Sequence, residues 1–92
     1  MKKLWAIRKQ IFINKKGTWS SSDFIVNYVF SSWKSAVNFI DEITADCAEK
    51  NVRTDSEDEL YYVNVTPERN AESTMYITIS YEVYPLNYID EP

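Results

Sequence analysis

Apolar and polar residues alternate with a period of two over most of this chain, and one stretch replaces that alternation with a period near 3.6. In Ser32 to Asn51, SWKSAVNFIDEITADCAEKN, the residues Trp33, Ala36, Val37, Ile40, Ile43, Cys47 and Ala48 fall on one stripe of an α-helix. Ser31 or Ser32 can accept a hydrogen bond from the first unpaired N–H groups. Lys50 suits the negative end of the helix dipole, and Asn51 tolerates the left-handed conformation of a helix stop. The spacing predicts a helix of about 18 residues, about 27 Å long at about 1.5 Å per residue.

The flanks read as strands. In residues 3–13, KLWAIRKQIFI, the positions Trp5, Ile7, Ile11 and Ile13 share one face with Lys9 as the exception; Leu4, Ala6, Arg8, Gln10 and Phe12 take the other. Asn14-Lys15-Lys16-Gly17 is a turn signal whose glycine is suited to positive φ. Residues 18–22, TWSSS, are short and polar and are read as part of a long hairpin loop. Asp23 to Phe30 is a second strand with Phe24, Val26, Tyr28 and Phe30 facing the core. Val52 to Glu59 is an acidic connector. Leu60 to Thr66 is a third strand with Tyr61, Val63 and Val65 on one face, ended by Pro67 and the loop PERNAES. Thr74 to Tyr84 is a fourth: Met75, Ile77, Ile79, Tyr81 and Val83 point one way and Tyr76, Thr78, Ser80, Glu82 and Tyr84 the other. Pro85 stops it, leaving a tail, 85–92, that packs through Leu86, Tyr88 and Ile89.

Hairpin, helix, hairpin is the order ββαββ. The expected fold is one α+β domain over residues 1–92, a two-layer sandwich with one helix packed on a four-stranded, mostly antiparallel sheet. The long first and fourth strands suit central positions, which in a four-strand arrangement would make that pair parallel.

Composition narrows the class. A hydrophobic content of 45% in 92 residues is that of a globular domain able to bury a core without metal or disulfide staples. The single cysteine, Cys47, excludes an intramolecular disulfide and favours a reducing compartment. The start of the chain resembles a signal peptide, but Arg8, Lys9 and Gln10 break its apolar run early, so the expectation is a soluble cytoplasmic protein with no membrane partner. Charge is divided along the chain. Residues 1–16 carry +6, whereas residues 41–92 hold 13 acidic and 3 basic side chains. Such a division lets one half attract the other, or leaves a basic edge and an acidic surface for partners.

The candidate chemistry is sparse. There is no histidine, which removes the commonest general base and zinc ligand. Cys47 falls on the apolar stripe, and its position reads as core rather than as a nucleophile. Asp55, Glu57, Asp58 and Glu59 form a carboxylate cluster without EF-hand spacing. No catalytic residue, metal site or cofactor is therefore expected. Six of the seven tyrosines lie between Tyr61 and Tyr88. The sheet face turned from the helix would carry Leu4, Arg8, Gln10, Ile25, Val29, Tyr62, Tyr76 and Tyr84, and tyrosine and arginine are frequent interface anchors. The reading is a non-catalytic protein-interaction module, a small regulator, adaptor or inhibitor. Arg8, Tyr62, Tyr76 and Tyr84 would contact a protein partner or a second copy in a homodimer. The alternative is a nucleic-acid binder using Lys2, Lys3, Lys9, Lys15 and Lys16, with Arg8, beside the sheet tyrosines. A chain rich in Ile, Asn, Lys, Tyr and Phe and poor in Gly, Ala, Arg and Pro suggests an AT-rich genome, and by association a phage or mobile element.

Overall fold

A computed structural model of the protein describes residues 2–66 and 75–88, apart from the side chains of Lys2, Met75 and Tyr88. The expectations for Pro67 to Ser73, for Thr74 and for Ile89, and those for the side chains of Met75 and Tyr88, lie outside the described residues. The elements in order are β1 (Lys2–Lys15), β2 (Thr18–Phe30), α1 (Trp33–Ile43), β3 (Glu49–Asp55), β4 (Leu60–Thr66) and β5 (Met75–Tyr88). The sheet has five strands in the order β2-β1-β5-β4-β3, and every adjacent pair is antiparallel. The expected four-stranded sheet is thus corrected to five. The extra strand, β3, reverses the sense of everything after it, so the two long central strands β1 and β5 run antiparallel.

β3 escapes the alternation because it is an exposed edge strand whose sequence, EKNVRTD, has a single apolar residue, Val52, opposite Val63. Its residues were expected to prolong the helix and then form the acidic connector. The helix instead stops at Ile43. The Thr44 hydroxyl, buried, donates to the Ile40 carbonyl (2.7 Å), and the Ala48 N–H already donates to the Thr66 carbonyl (2.9 Å), so the sheet takes the chain over. Cys47 lies past the helix end yet still packs against the core, as its place on the stripe suggested. With the helix gone by residue 46, Lys50 lies in β3 and pairs with Asp41 of the helix (3.3 Å). At the other end the Ser32 side chain caps the helix, accepting from the Ser35 N–H (3.1 Å).

Two further boundaries move. Residues 18–22 belong to β2, because the hairpin turns in two residues, Lys16 (φ 52) and Gly17 (φ 83). Two successive positive φ values match the right-handed twist of the flanking strands and keep the pairing running up to Lys15–Thr18. β5 continues through Pro85, which stands opposite Trp5. β4 begins only at Leu60, so past Tyr84 β5 has lost that neighbour, and an edge position admits a residue without an N–H.

Helix residues Ala36, Val37 and Ile40 pack on Trp5, Ile7, Tyr61, Val63, Val65, Tyr81 and Val83 to form the core. Between Ala6–Val29 and Arg8–Ile25, β1 advances two residues while β2 advances four. This bulge holds Val26, Asn27 and Tyr28; Val26 still packs against the core, and Tyr28 and Phe30 meet Phe39 of the helix with ring centroids 5.8 and 5.3 Å apart. The helix is much shorter than the strands, and β4 is paired to β5 only as far as Val65–Ile79. Beyond that point Phe12–Lys15, Thr18–Ser21 and Met75–Thr78 form, among the described residues, a three-stranded blade, in a molecule of 56 × 22 × 19 Å.

Candidate functional site

The register assigns the face away from the helix residue by residue. One row across all five strands is Ile25, Arg8, Glu82, Tyr62 and Arg53. The next, toward the blade, is Asp23, Gln10, Ser80, Asn64 and Asn51. The middle of this face is occupied with its own hydrogen bonds. Arg8 makes a two-pronged contact with Asp23, Nε to Oδ1 at 3.0 Å and Nη2 to Oδ2 at 2.6 Å, while Gln10 Nε2 donates to Asp23 Oδ2 at 3.3 Å. The hydrogen bond from Arg8 holds the Asp23 carboxyl below the usual carboxylate range, and the same contact holds the guanidinium proton more tightly. The Tyr62 hydroxyl lies 3.1 Å from Asn64 Oδ1 and 3.2 Å from Ser80 Oγ, and Ser80 in turn donates to Asn64 Oδ1. Tyr84, opposite Ala6, lines a shallow groove of about 300 Å³ with Arg8, Asp23, Phe24 and Ile25.

Arg8, Tyr62 and Tyr84 are therefore brought together around Glu82, but Arg8 and Tyr62 are committed to internal partners. Tyr76 stands apart. It faces Asn14, six residues along β1 from Arg8, or about 20 Å at the strand rise. There it shares a row with Trp19, Asn14 lying between them, and Phe12 occupies the row below. Trp19 is 68% exposed and Tyr76 69%, the two most exposed large apolar side chains among the described residues. Reading TWSSS as loop hid Trp19. The signal was present in the Lys16-Gly17 pair, which permits a two-residue turn and so carries the strand alternation back through Trp19.

The opposite, helix-side face holds a second feature that sequence reading missed. Phe24, Tyr28, Phe39, Ile43 and Tyr81 wall a groove of about 530 Å³ between the bulge and the end of the helix, with Lys9 among its lining residues. Lys9 Nζ lies 5.5 Å from the ring centres of both Phe24 and Tyr81. The one lysine that broke the apolar alternation of β1 thus sits between aromatic rings. Lys3 and Lys15 share this face with Lys9, each six residues, about 20 Å, from the next. Lys3 lies over the Trp5 ring (4.6 Å) and pairs with Glu59 (3.7 Å), and Lys16 is in the turn. The lysines proposed for nucleic acid are therefore strung along β1, not gathered; the side chain of Lys2 lies outside the described residues.

Asp55 uses its carboxylate to tie the β3–β4 turn, accepting from the N–H groups of Glu57 (3.0 Å) and Asp58 (3.4 Å). Among the described residues no three His, Cys, Asp or Glu side chains converge as metal ligands. No helix of the described residues is long and apolar enough to cross a membrane. Comparison of the chain with protein-family models, with curated proteins and with solved structures finds no match.

Proposed function

We propose that this chain is a non-catalytic protein-interaction module whose contact element is the projecting blade. The observation that carries the reading is the row Trp19–Asn14–Tyr76, which presents two large, exposed aromatic side chains on the sheet face turned from the helix. A three-stranded sheet gains most of its stability by packing one face, and on the helix side of the blade Ile13 and Ile77 are only partly buried. Aromatic residues on a rigid, preorganised surface are also those that anchor protein contacts at low entropic cost. Of the four residues expected to make the contact, Tyr76 keeps that role and gains Trp19 and Phe12 as neighbours. Arg8 and Tyr62 instead stiffen the middle of the sheet through their hydrogen bonds.

The test is affinity capture from the source cell with three baits: wild type, Trp19→Ser/Tyr76→Ser, and Arg8→Gln/Tyr84→Ser. A protein retained by the first and third and lost by the second is the expected result. Equal retention by all three overturns the reading. Recovery of nucleic acid that falls steeply with salt, and falls further with Lys9→Gln/Lys15→Gln, replaces it with the nucleic-acid alternative.

A further inference from the structure

The two outer edges of the sheet are not alike. β3 is guarded in the way exposed edges usually are, with Glu49, Lys50, Arg53 and Asp55 among its seven residues. β2 has one charge in thirteen residues, Asp23, and Arg8 neutralises it. It contains no lysine, arginine or proline, and from Thr18 to Ile25 every residue is exposed. A long, straight, uncharged edge presents unpaired N–H and C=O groups that template a further strand. Among the described residues nothing pairs with it.

We propose that the occupant of this edge is the same edge of a second copy, β2 against β2 antiparallel about a two-fold axis at Ser22, joining two five-stranded sheets into one of ten. The identification rests on the reading of the blade as a contact surface, and it names the partner.

Three observations choose self-pairing and its register. The regularly paired run begins after the turn at Lys16–Gly17 and ends at Ile25, the last residue before the bulge, so Ser21 and Ser22 stand at its middle. Centring on Ser22 pairs Trp19 to Ile25 with itself, and an antiparallel pair about a two-fold is the symmetric, closed solution. Side chains then meet well. Trp19 falls opposite the partner's Ile25 on the face away from the helix, covering two residues that are 68% and 59% exposed. On the helix side Phe24 falls opposite the partner's Ser20, large against small. The partner's Ser21 meets Asp23 and can donate to its carboxylate. Moving the axis to Asp23 would set two carboxylates face to face, and moving it to Ser21 would set Trp19 against a carboxylate. Charge agrees as well. Asp41, Glu42, Asp46 and the β3–β4 turn belong to the helix end and the opposite edge, so the neutral sides of two acidic molecules come together.

The register makes a sharp test. Directly opposed residues of an antiparallel pair have Cα atoms about 4.5–5.5 Å apart, within the reach of a disulfide. In a Cys47→Ser background, Ser22→Cys should cross-link to a dimer under mild oxidation. Ser20→Cys, about 14 Å from its own copy in this register, should not. Light scattering on wild type should give twice the 10.8 kDa chain mass at micromolar to millimolar concentration, and Ser20→Lys/Ser22→Lys should restore the single-chain mass. Monomeric wild type throughout that range, or equal cross-linking from Ser20→Cys and Ser22→Cys, overturns the proposal. If the chain is monomeric but Trp19→Ser/Tyr76→Ser still loses a captured protein, self-pairing fails and the interaction reading stands. If both experiments are negative, both fall.

Discussion

Replacing Ile40 by alanine should remove a large part of the stability of this protein. Ile40 is fully buried, sits at the middle of the helix stripe and packs into the cluster that includes Ile7, Val63 and Val65. Truncation deletes three carbon atoms' worth of buried apolar side chain, about 2.4 kcal/mol at about 0.8 kcal/mol per group. The cavity left by incomplete collapse adds about 1 kcal/mol, for a total of about 3–4 kcal/mol. The helix has only eleven residues and is held mainly by this face, so it has little capacity to shift and refill the space. Against a total stability of about 5–14 kcal/mol for a chain of this size, the loss is a quarter or more. With a urea slope of about 1–1.5 kcal/mol per molar, the midpoint should fall by about 2–4 M. Urea melts followed by far-ultraviolet dichroism read this directly. Val52→Ala, on an exposed apolar residue of the other edge strand, is the control and should move the midpoint little. Melts of Ile40→Ala that superimpose on wild type would refute the assignment of the helix as the cover of the sheet.

Two other substitutions test separate parts of the structure. Tyr61 is raised above its ordinary value of 10.0 by burial and by its hydrogen bond to Asp41, so the neutral phenol is favoured in the folded state. Its contribution is fully present below pH about 10 and is lost as pH rises toward the folded-state value, so stability should fall above about pH 10 less steeply in Tyr61→Phe than in wild type. Parallel alkaline stability curves for the two would contradict this. Gly17→Ala meets no neighbouring atom but places a side chain at φ +83, which should cost about 1 kcal/mol in thermal or urea melts; an unchanged midpoint would show that the turn relaxes freely.

How far the sequence discloses this molecule depends on how much each residue's neighbours constrain it. The faces of β1, β4 and β5 were legible because each is half-buried in the core region: Trp5 and Ile7, Tyr61, Val63 and Val65, Tyr81 and Val83 all face the helix as their alternation predicts. The helix itself was legible from Trp33 to Ile43. Its end was not, because Cys47 and Ala48 continue the spacing while the decision to stop is made at long range, by the Ala48 N–H reaching Thr66. β3 was hidden for a related reason. An edge strand exposed on both faces needs no apolar pattern, and its charges, which protect the edge, read as connector. The face carrying Arg8, Tyr62, Tyr76 and Tyr84 was legible as a face, but strand length separates Tyr76 from the other three. Trp19 and the Lys9 groove depend on the tight turn and on a two-residue bulge, both of them features of pairing and not of local composition.

The most direct measurement of the central claim, that the blade and its β2 edge are the contact element, is amide hydrogen exchange across a dilution series of wild-type protein. The account predicts that the outward-pointing amides between Thr18 and Ile25 gain protection as concentration rises, while those of the other edge, Glu49–Asp55, exchange at a constant rate. Exchange in Thr18 to Ile25 that is independent of concentration, or protection that appears at Glu49–Asp55 instead, would contradict it.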